Sequence, residues 1–316
     1  MIIVTGAAGF IGSHIIQGLN RLGRTDILAV DDLKRSDKFY NLMSCKFDDY
    51  MDSTDFLKEV KNHSSWLNAV ETVFHQGSYV NRFEYDGREI MKNNYDYSKV
   101  LLHHCIDNKI KFIYASSSSV YGRNQESTEE NVEQPIHIVG YSKWLFDQYV
   151  NRILLRSESQ IVGLRYFDVY GKREHHKGHM ASVVHHFCQQ LVKQEPLGLY
   201  STSHFSNGQQ KRDFIHVDDI VNINLWFWQN PELRGIFNCG TGSAVTFSDI
   251  ADSLIALNGS GRTHDIPLPL QLIDDYRLHT QANISRLREV GYTDSFKPLV
   301  SGLEDVYAWH KSVGVL

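Results

Sequence analysis

Gly6, Gly9 and Gly12 recur every third residue between the apolar run Ile2-Ile3-Val4 and a segment whose Ile11, Ile15, Ile16 and Leu19 keep helical spacing. Glycines let a backbone come close to a phosphate, and a helix start offers unpaired N–H groups and the positive end of its dipole. A second apolar run, Ile27–Val30, ends on Asp31 and Asp32, about 20 residues beyond the glycines. Strand, glycine turn, helix, strand and acid form one βαβ unit of the dinucleotide-binding kind. An ordinary glycine turn has the same spacing; the acid at that distance favours the pyrophosphate reading. Asp31 and Asp32 suit the ribose hydroxyls of NAD. Lys34, Arg35 and Lys38 suit the 2′-phosphate of NADP, or form a plain solvated loop.

The rest of the chain supplies elements to hold such a turn. Thr72–His75, Phe112–Ala115 and Ile161–Leu164 read as buried strands, and 95–106 and 141–155 as helices. The expected fold is therefore α/β: a Rossmann-type, doubly wound parallel sheet over residues 1–165. Beyond residue 166 the rhythm loosens. Ser201–Gln210 reads as a loop, and helical patterns return at 216–229, 246–257 and 298–310. Residues 166–316 are expected to form a smaller, mixed α/β substrate lobe with segments returning to the first domain. No repeat and no Pro-, Gly- or Ser-rich linker separates the two.

Composition narrows the function classes. The 316 residues are 42% hydrophobic and 22% charged, which argues against disorder. Lys and Arg number 32 against 37 Asp and Glu, a net charge of −5, so neither nucleic acid nor a membrane surface is an expected partner. Cys45, Cys105, Cys188 and Cys239 contain no CxxC pair, which suits reduced thiols and a cytoplasmic protein. No apolar run approaches the roughly 20 residues of a membrane span. With no basic and apolar leader pattern, folded structure is expected to begin near residue 1. His175, His176, His179, His185 and His186 crowd twelve residues, with His175 and His179 four apart. A zinc site needs neutral imidazoles converging with a further ligand, and no HExxH pattern is present. Surface histidines are the favoured reading, and no metal is assigned.

Longer phrases carry more information than the glycines: FDDYMD (47–52), NNYDYSKVLLH (93–103), YASSSSVYG (114–122), GYSKWLFDQYV (140–150), QIVGLRYFDVYG (160–171), HKGHMASV (176–183), KRDF (211–214) and IFNCGTG (236–242). With the GxxGxxG spacing they resemble the extended short-chain dehydrogenase/reductases, and within them the ADP-L-glycero-D-manno-heptose 6-epimerase family. The resemblance runs from residue 1 to about 310. It implies that bound NADP takes hydride from C6 of ADP-D-glycero-D-manno-heptose, that a transient 6-keto sugar forms, and that the same hydride returns to the other face. Such a cycle needs an acid/base on each face of the carbon. The family's two bases are a Tyr four residues before a helix Lys, and a Lys in the HKG phrase. Lys177 matches the latter, Lys143 the helix Lys that binds the nicotinamide ribose, and Ser117 the Ser that holds the reacting oxygen. Cofactor contacts are implied for Gly6, Gly9, Phe10, Ile11, Gly12, Asp31, Asp32, Lys38, Gln76, Asn93, Lys143 and Val169. Substrate contacts are implied for Asp168, His179, His186, Tyr200, Arg212 and Tyr276, with Arg212 on the diphosphate. The family also implies a homo-oligomer, with a pentamer among its arrangements.

The sequence departs from the family around this pocket. The tyrosine position is Val139, which has no proton to pass. Tyr141, two residues before Lys143, projects elsewhere on the helix. Asp168 stands where the family has Asn, Lys172 where it has Pro, and His179 where it has a small polar residue. Ser78–Phe83 replaces a Ser/Thr-rich stretch. Three readings follow: an epimerase working through Lys177 and another group; an impaired or inactive relative that binds dinucleotide and nucleotide sugar, with the cofactor regulating its shape or assembly; and another nucleotide-sugar 4-epimerase or dehydratase.

Overall fold

The computed structural model describes residues 1–81, 86–124, 127–128, 132–201, 208–269 and 277–314. Six strands alternate with helices along the first half: β1 (Ile2–Thr5), β2 (Ile27–Asp31), β3 (Asp49–Asp52), β4 (Thr72–His75), β5 (Lys111–Ser117) and β6 (Ile161–Tyr166). The chain then makes short strands β7 (Asp168–Tyr170), β8 (Leu197–Ser201), β9 (Lys211–Arg212) and β10 (Phe214–His216). It returns to the main sheet with β11 (Gly235–Cys239). The main sheet has seven strands in the order β11-β6-β5-β4-β1-β2-β3, every neighbouring pair parallel. This is the doubly wound α/β fold.

The apolar runs explain the sheet. β1, β4, β6 and β11 are buried along their whole lengths, as strands covered on both faces must be. One face carries α1 (Phe10–Arg21) and α7 (Val217–Gln229), with a core of Ile15, Ile16, Leu19, Ile220 and Phe227. The other carries α2 (Ser53–Lys61), α4 (Tyr97–Asp107) and α5 (Ile138–Leu154), packed through Phe56, Leu101, Leu102, Phe146 and Val150. A third core joins α6 (Val183–Val192), α8 (Phe247–Asn258) and the helix Leu299–Val313. Small two-stranded pairings, β7 with β10, β9 with β12 (Val245–Thr246) and β8 with β13 (Thr263–Pro267), lie in this second half.

Several elements were not expected, among them β3, α2, α6 and the short strands of the second half. β3 is a half-exposed edge strand of Asp, Tyr and Met, without the apolar run that marked the others. α2 buries only Phe56 and Val60 and is started by Asp52, whose carboxylate accepts the Thr54 N–H at 2.7 Å. Ser182 caps α6, its hydroxyl accepting the His185 N–H at 3.2 Å. The helix expected at 95–106 starts earlier, as the short helix α3 (Gly87–Met91) followed by a π-helical turn at Lys92–Asp96. Within the expected loop 201–210, Ser201 ends β8, and 202–207 lie outside the described residues.

Because the order reverses between β1 and β4, a crevice opens above the carboxyl ends of these strands. The glycine turn follows β1, Asp31 ends β2, Gln76 follows β4, Ser117 ends β5 and Asp168 follows β6. Beneath the β5–β6 end lies a buried charge hub. Arg165, 1% exposed, donates from Nε to Asp147 at 2.8 Å, from Nη2 to Glu133 at 2.7 Å and from Nη1 to the Tyr121 hydroxyl at 2.9 Å. Asp147 also accepts from Tyr114 and Ser116, which ties α5 to β5. Arg165→Met leaves two buried carboxylates without their cation and should cost about 3–5 kcal/mol. Urea unfolding reads that loss; an unchanged midpoint would show that the hub does not hold the sheet to α5.

Candidate active site

The glycine turn is tighter than a side chain permits. Gly6 has φ +66°, and a Cβ on it would stand 2.7 Å from the Gly77 nitrogen at the end of β4. A Cβ on Gly12 would run into the Gly6 carbonyl oxygen. Gly9 is the N-cap of α1, so that helix starts at the crevice. Asp31 holds the turn from beside it: Oδ2 accepts the Ala8 N–H at 2.8 Å, while Oδ1 accepts the Asp32 N–H at 2.7 Å and the Lys38 ammonium. Asp32 stays half-exposed, 3.2 Å from the same ammonium. Burial pushes the Lys38 pKa down, the two aspartates push it up, and the net is above the usual lysine range. Asp31 is thus a staple of the turn, and Asp32 is the more accessible carboxylate. Phe10 is buried and Ile11 half-buried on the first turn of α1.

At the end of β4, His75 lies buried between the Thr5 hydroxyl at 2.7 Å and the Ser98 hydroxyl at 2.8 Å. Burial drives its pKa down to about 3, so the ring is neutral. Gln76 accepts from the Tyr166 hydroxyl at 3.0 Å. Asn93 is exposed and bonds back to the Glu89 carbonyl at 2.7 Å. Its neighbour Asn94 is buried: it accepts the Tyr79 N–H at 2.7 Å and donates to the Ser142 hydroxyl at 3.1 Å, so the π-turn links the post-β4 loop to α5. Neighbouring asparagines gave no sequence signal for which one points inward.

Helix α5 begins where His137 caps it, Nδ1 accepting the Gly140 N–H at 3.0 Å. Val139 and Lys143 then fall one turn apart on its inner face, 8% and 7% exposed. Tyr141, 40% exposed, lies against Trp144 instead. Lys143 Nζ donates to the Ala115 carbonyl at 2.8 Å, just before Ser117. Ser117 accepts the Ser119 N–H at 3.1 Å. Burial lowers the Lys143 pKa to about 8, opposed by Asp147. Lys143 is thus anchored to the end of β5 at Ala115, two residues before Ser117, and the apolar Val139 shares its face of α5.

Lys177 is held by a residue that the motif did not flag. Its ammonium donates to Glu174 Oε2 at 2.7 Å and lies 4.9 Å from the Phe10 ring centre. Glu174, fully buried, also accepts from the Ser182 N–H and hydroxyl and from the Gly171 N–H. Burial pushes the Glu174 pKa up, but Lys177 and Ser182 outweigh it and the net is downward. Nearby, His176 meets Asn41 at 3.2 Å and His175 meets the Asp37 carbonyl at 3.2 Å, so this loop rests on the turn after β2. His179 is exposed; His186 is half-buried, its pKa lowered by burial.

On the substrate side, Val169 is half-buried in β7 and Tyr200 half-buried in β8. Asp168 Oδ1 lies 3.9 Å from Arg212 Nε. Arg277, not picked out by its sequence context, donates to the Ser118 carbonyl at 2.9 Å, beside Ser117. Tyr276 lies outside the described residues. Lys172 pairs with Asp305 of the last helix at 2.5 Å. Among the described residues, His216, Asp218 and Asp305 bring metal-capable atoms within 4.8 Å of one another, but Lys297 pairs with Asp218 at 2.7 Å, so two lysines already supply positive charge there. Also among the described residues, no helix is long and apolar enough to cross a membrane.

The model of the NAD dependent epimerase/dehydratase family matches residues 2–240. The chain belongs to this family. The solved structure of Helicobacter pylori ADP-L-glycero-D-manno-heptose-6-epimerase is similar to this epimerase/dehydratase at 27% identity and a TM-score of 0.84, over 98% of this chain and 96% of that one. Thermotoga maritima UDP-glucose 4-epimerase with UDP-glucose gives 26% and 0.82, over 99% of both chains. Bacillus cereus UDP-glucuronic acid 4-epimerase, in complex with UDP-glucuronic acid and NAD, gives 25% and 0.82, again over 99% of both. The chain is a nucleotide-sugar epimerase/dehydratase family member with neighbours of several sugar specificities.

Lys143 also bears on stability. Its folded pKa is depressed, so between about 8 and the unfolded value of 10.5 the folded chain binds fewer protons than the unfolded one, and stability rises with pH. Below that window the buried ammonium is a cost. Lys143→Met should therefore stabilise the protein at pH 7 by about 1–3 kcal/mol, less the lost Ala115 hydrogen bond. The gain should shrink as pH rises toward 10. Thermal melts across that range test it; a variant less stable at pH 7 would contradict it.

Proposed function

We propose that this family member has the pocket of an ADP-L-glycero-D-manno-heptose 6-epimerase, using NADP, with one of its two acid/base groups replaced by Val139. The observation that carries the reading is the α5–β5 constellation: Lys143 anchored beside Ser117, with an apolar side chain one turn away where a proton-transfer group is needed. The Helicobacter relative and the HKGHMASV phrase, with Lys177 tied to buried Glu174, support this sugar over other family substrates. We assign residues 1–165 to dinucleotide binding and most of 166–316 to substrate, in a cytoplasmic homo-oligomer.

The fit to a dinucleotide rests on the turn itself: Gly6 and Gly12 leave no room for a Cβ, and α1 starts at the crevice. NADP is favoured over NAD because Lys38 pairs with both Asp31 and Asp32, which lessens their repulsion of a 2′-phosphate, while Lys34 and Arg35 stand exposed nearby. A bound nicotinamide would supply reversible hydride exchange with the sugar carbon. The chain's own residues do the rest. Ser117 holds the reacting oxygen, and Lys143 orients the ribose and places positive charge beside it. Lys177, paired with Glu174, returns a proton to the oxygen from its side, and water takes up the proton released on the side of Val139. Val139 contributes no proton, and losing a positioned acid/base costs about 10²–10⁴ in rate.

The test is inversion at C6 followed by NMR, with NADP and ADP-D-glycero-D-manno-heptose, for the chain and for Val139→Tyr. The tyrosine variant should turn over about 10²–10⁴ faster. Equal rates would mean that Val139 is not the limiting substitution. A second reading, a UDP-sugar 4-epimerase, is favoured by the Thermotoga neighbour. It would replace this one if Val139→Tyr inverted UDP-glucose and left the heptose untouched.

A further inference from the structure

Three chain segments fix the carboxylate of Asp168. The Asp168 N–H bonds to the Asp213 carbonyl at 3.1 Å, and β7 pairs in parallel with β10, Asp168 opposite Phe214. The Thr280 N–H bonds to the Lys211 carbonyl at 3.1 Å, and the Thr280 hydroxyl donates to Asp168 Oδ2 at 3.1 Å. The other oxygen, Oδ1, lies 3.9 Å from Arg212 Nε. Arg212 is 9% exposed and Asp168 is 31% exposed, so the guanidinium, whose Nη1 also donates to the Lys211 carbonyl at 3.2 Å, is the buried partner and the carboxylate the more open one. At that separation the contact is one of charge, which a better-placed anion can displace.

We infer that Asp168 is the built-in counter-ion of Arg212, a specificity-determining carboxylate that ranks nucleotide ligands by the negative charge they bring. This rests on the proposed reading of Arg212 as the diphosphate partner. A diphosphate that takes the guanidinium settles beside Asp168, and like charges held together raise its cost. A free nucleoside diphosphate carries a fully ionised terminal phosphate. In a nucleoside diphosphate sugar that phosphate is esterified and bears one charge fewer. The pocket therefore selects the sugar nucleotide over the bare nucleotide. Asparagine at 168 keeps the shape and the Thr280 contact while removing the charge.

The experiment is calorimetric titration of the chain saturated with NADP, so that the dinucleotide crevice is filled, using ADP, UDP and ADP-glucose. Asp168→Asn should tighten the nucleoside diphosphate that binds by about tenfold and ADP-glucose by about threefold. Asp168→Ala should show the same ranking. Arg212→Ala should weaken binding, and adding Asp168→Asn to it should give no gain. Unchanged or weaker binding by Asp168→Asn, with Arg212→Ala still weakened, overturns the counter-ion inference and leaves the diphosphate reading standing. A gain with Asn but none with Ala also overturns it, since the amide rather than the lost charge is then responsible. Arg212→Ala with full affinity overturns the diphosphate reading itself, and failure of every ligand to bind any of the proteins overturns both.

Discussion

The approach of Gly12 to the Gly6 carbonyl, with Gly77 pressed against Gly6 from β4, is the contact on which the site depends. It sets α1 at the end of β1 and brings the end of β4 beside it, at the point where the strand order reverses. Asp31 braces the turn through the Ala8 N–H, and Lys38 braces Asp31. From there the loop after β2 reaches His175 and His176, so the same turn supports the segment that carries Lys177. A backbone contact thus positions groups from four separate stretches of chain.

The second theme is buried charge held for use. Lys143, Glu174 and Arg165 are all buried, and each needs a named partner: the Ala115 carbonyl, Lys177 with Ser182, and Asp147 with Glu133. Buried ion pairs are weak sources of stability beside apolar packing, but they hold geometry firmly. Val139 breaks this pattern. It is buried on the inner face of α5, 8% exposed, and carries no charge and no proton to pass.

Much of the fold was legible because its strands are short apolar runs. Thr72–His75 matches the structure residue for residue, and the βαβ unit with its acid sits where the spacing put it. β3 was not legible, because an edge strand of Asp, Tyr and Met lacks the buried run that marks a central one. Candidate site residues could be read where a motif names them, as with Lys143, and less so where a buried partner comes from beyond the motif. Glu174 precedes the HKG phrase and looks like any surface acid; only the fold shows it sealed under Lys177. Arg277 reaches Ser118 from the far end of the chain, a contact that no local pattern records.

The most direct test of the account is equilibrium binding of NADP and NAD to the purified chain, beside Gly12→Ala. One dinucleotide should bind per chain despite Val139, with NADP the tighter of the two, and the alanine variant should lose it because its Cβ collides with the Gly6 carbonyl. A chain that binds neither dinucleotide, or a Gly12→Ala variant that binds as well as the parent, would contradict the central claim that this turn is the cofactor cradle.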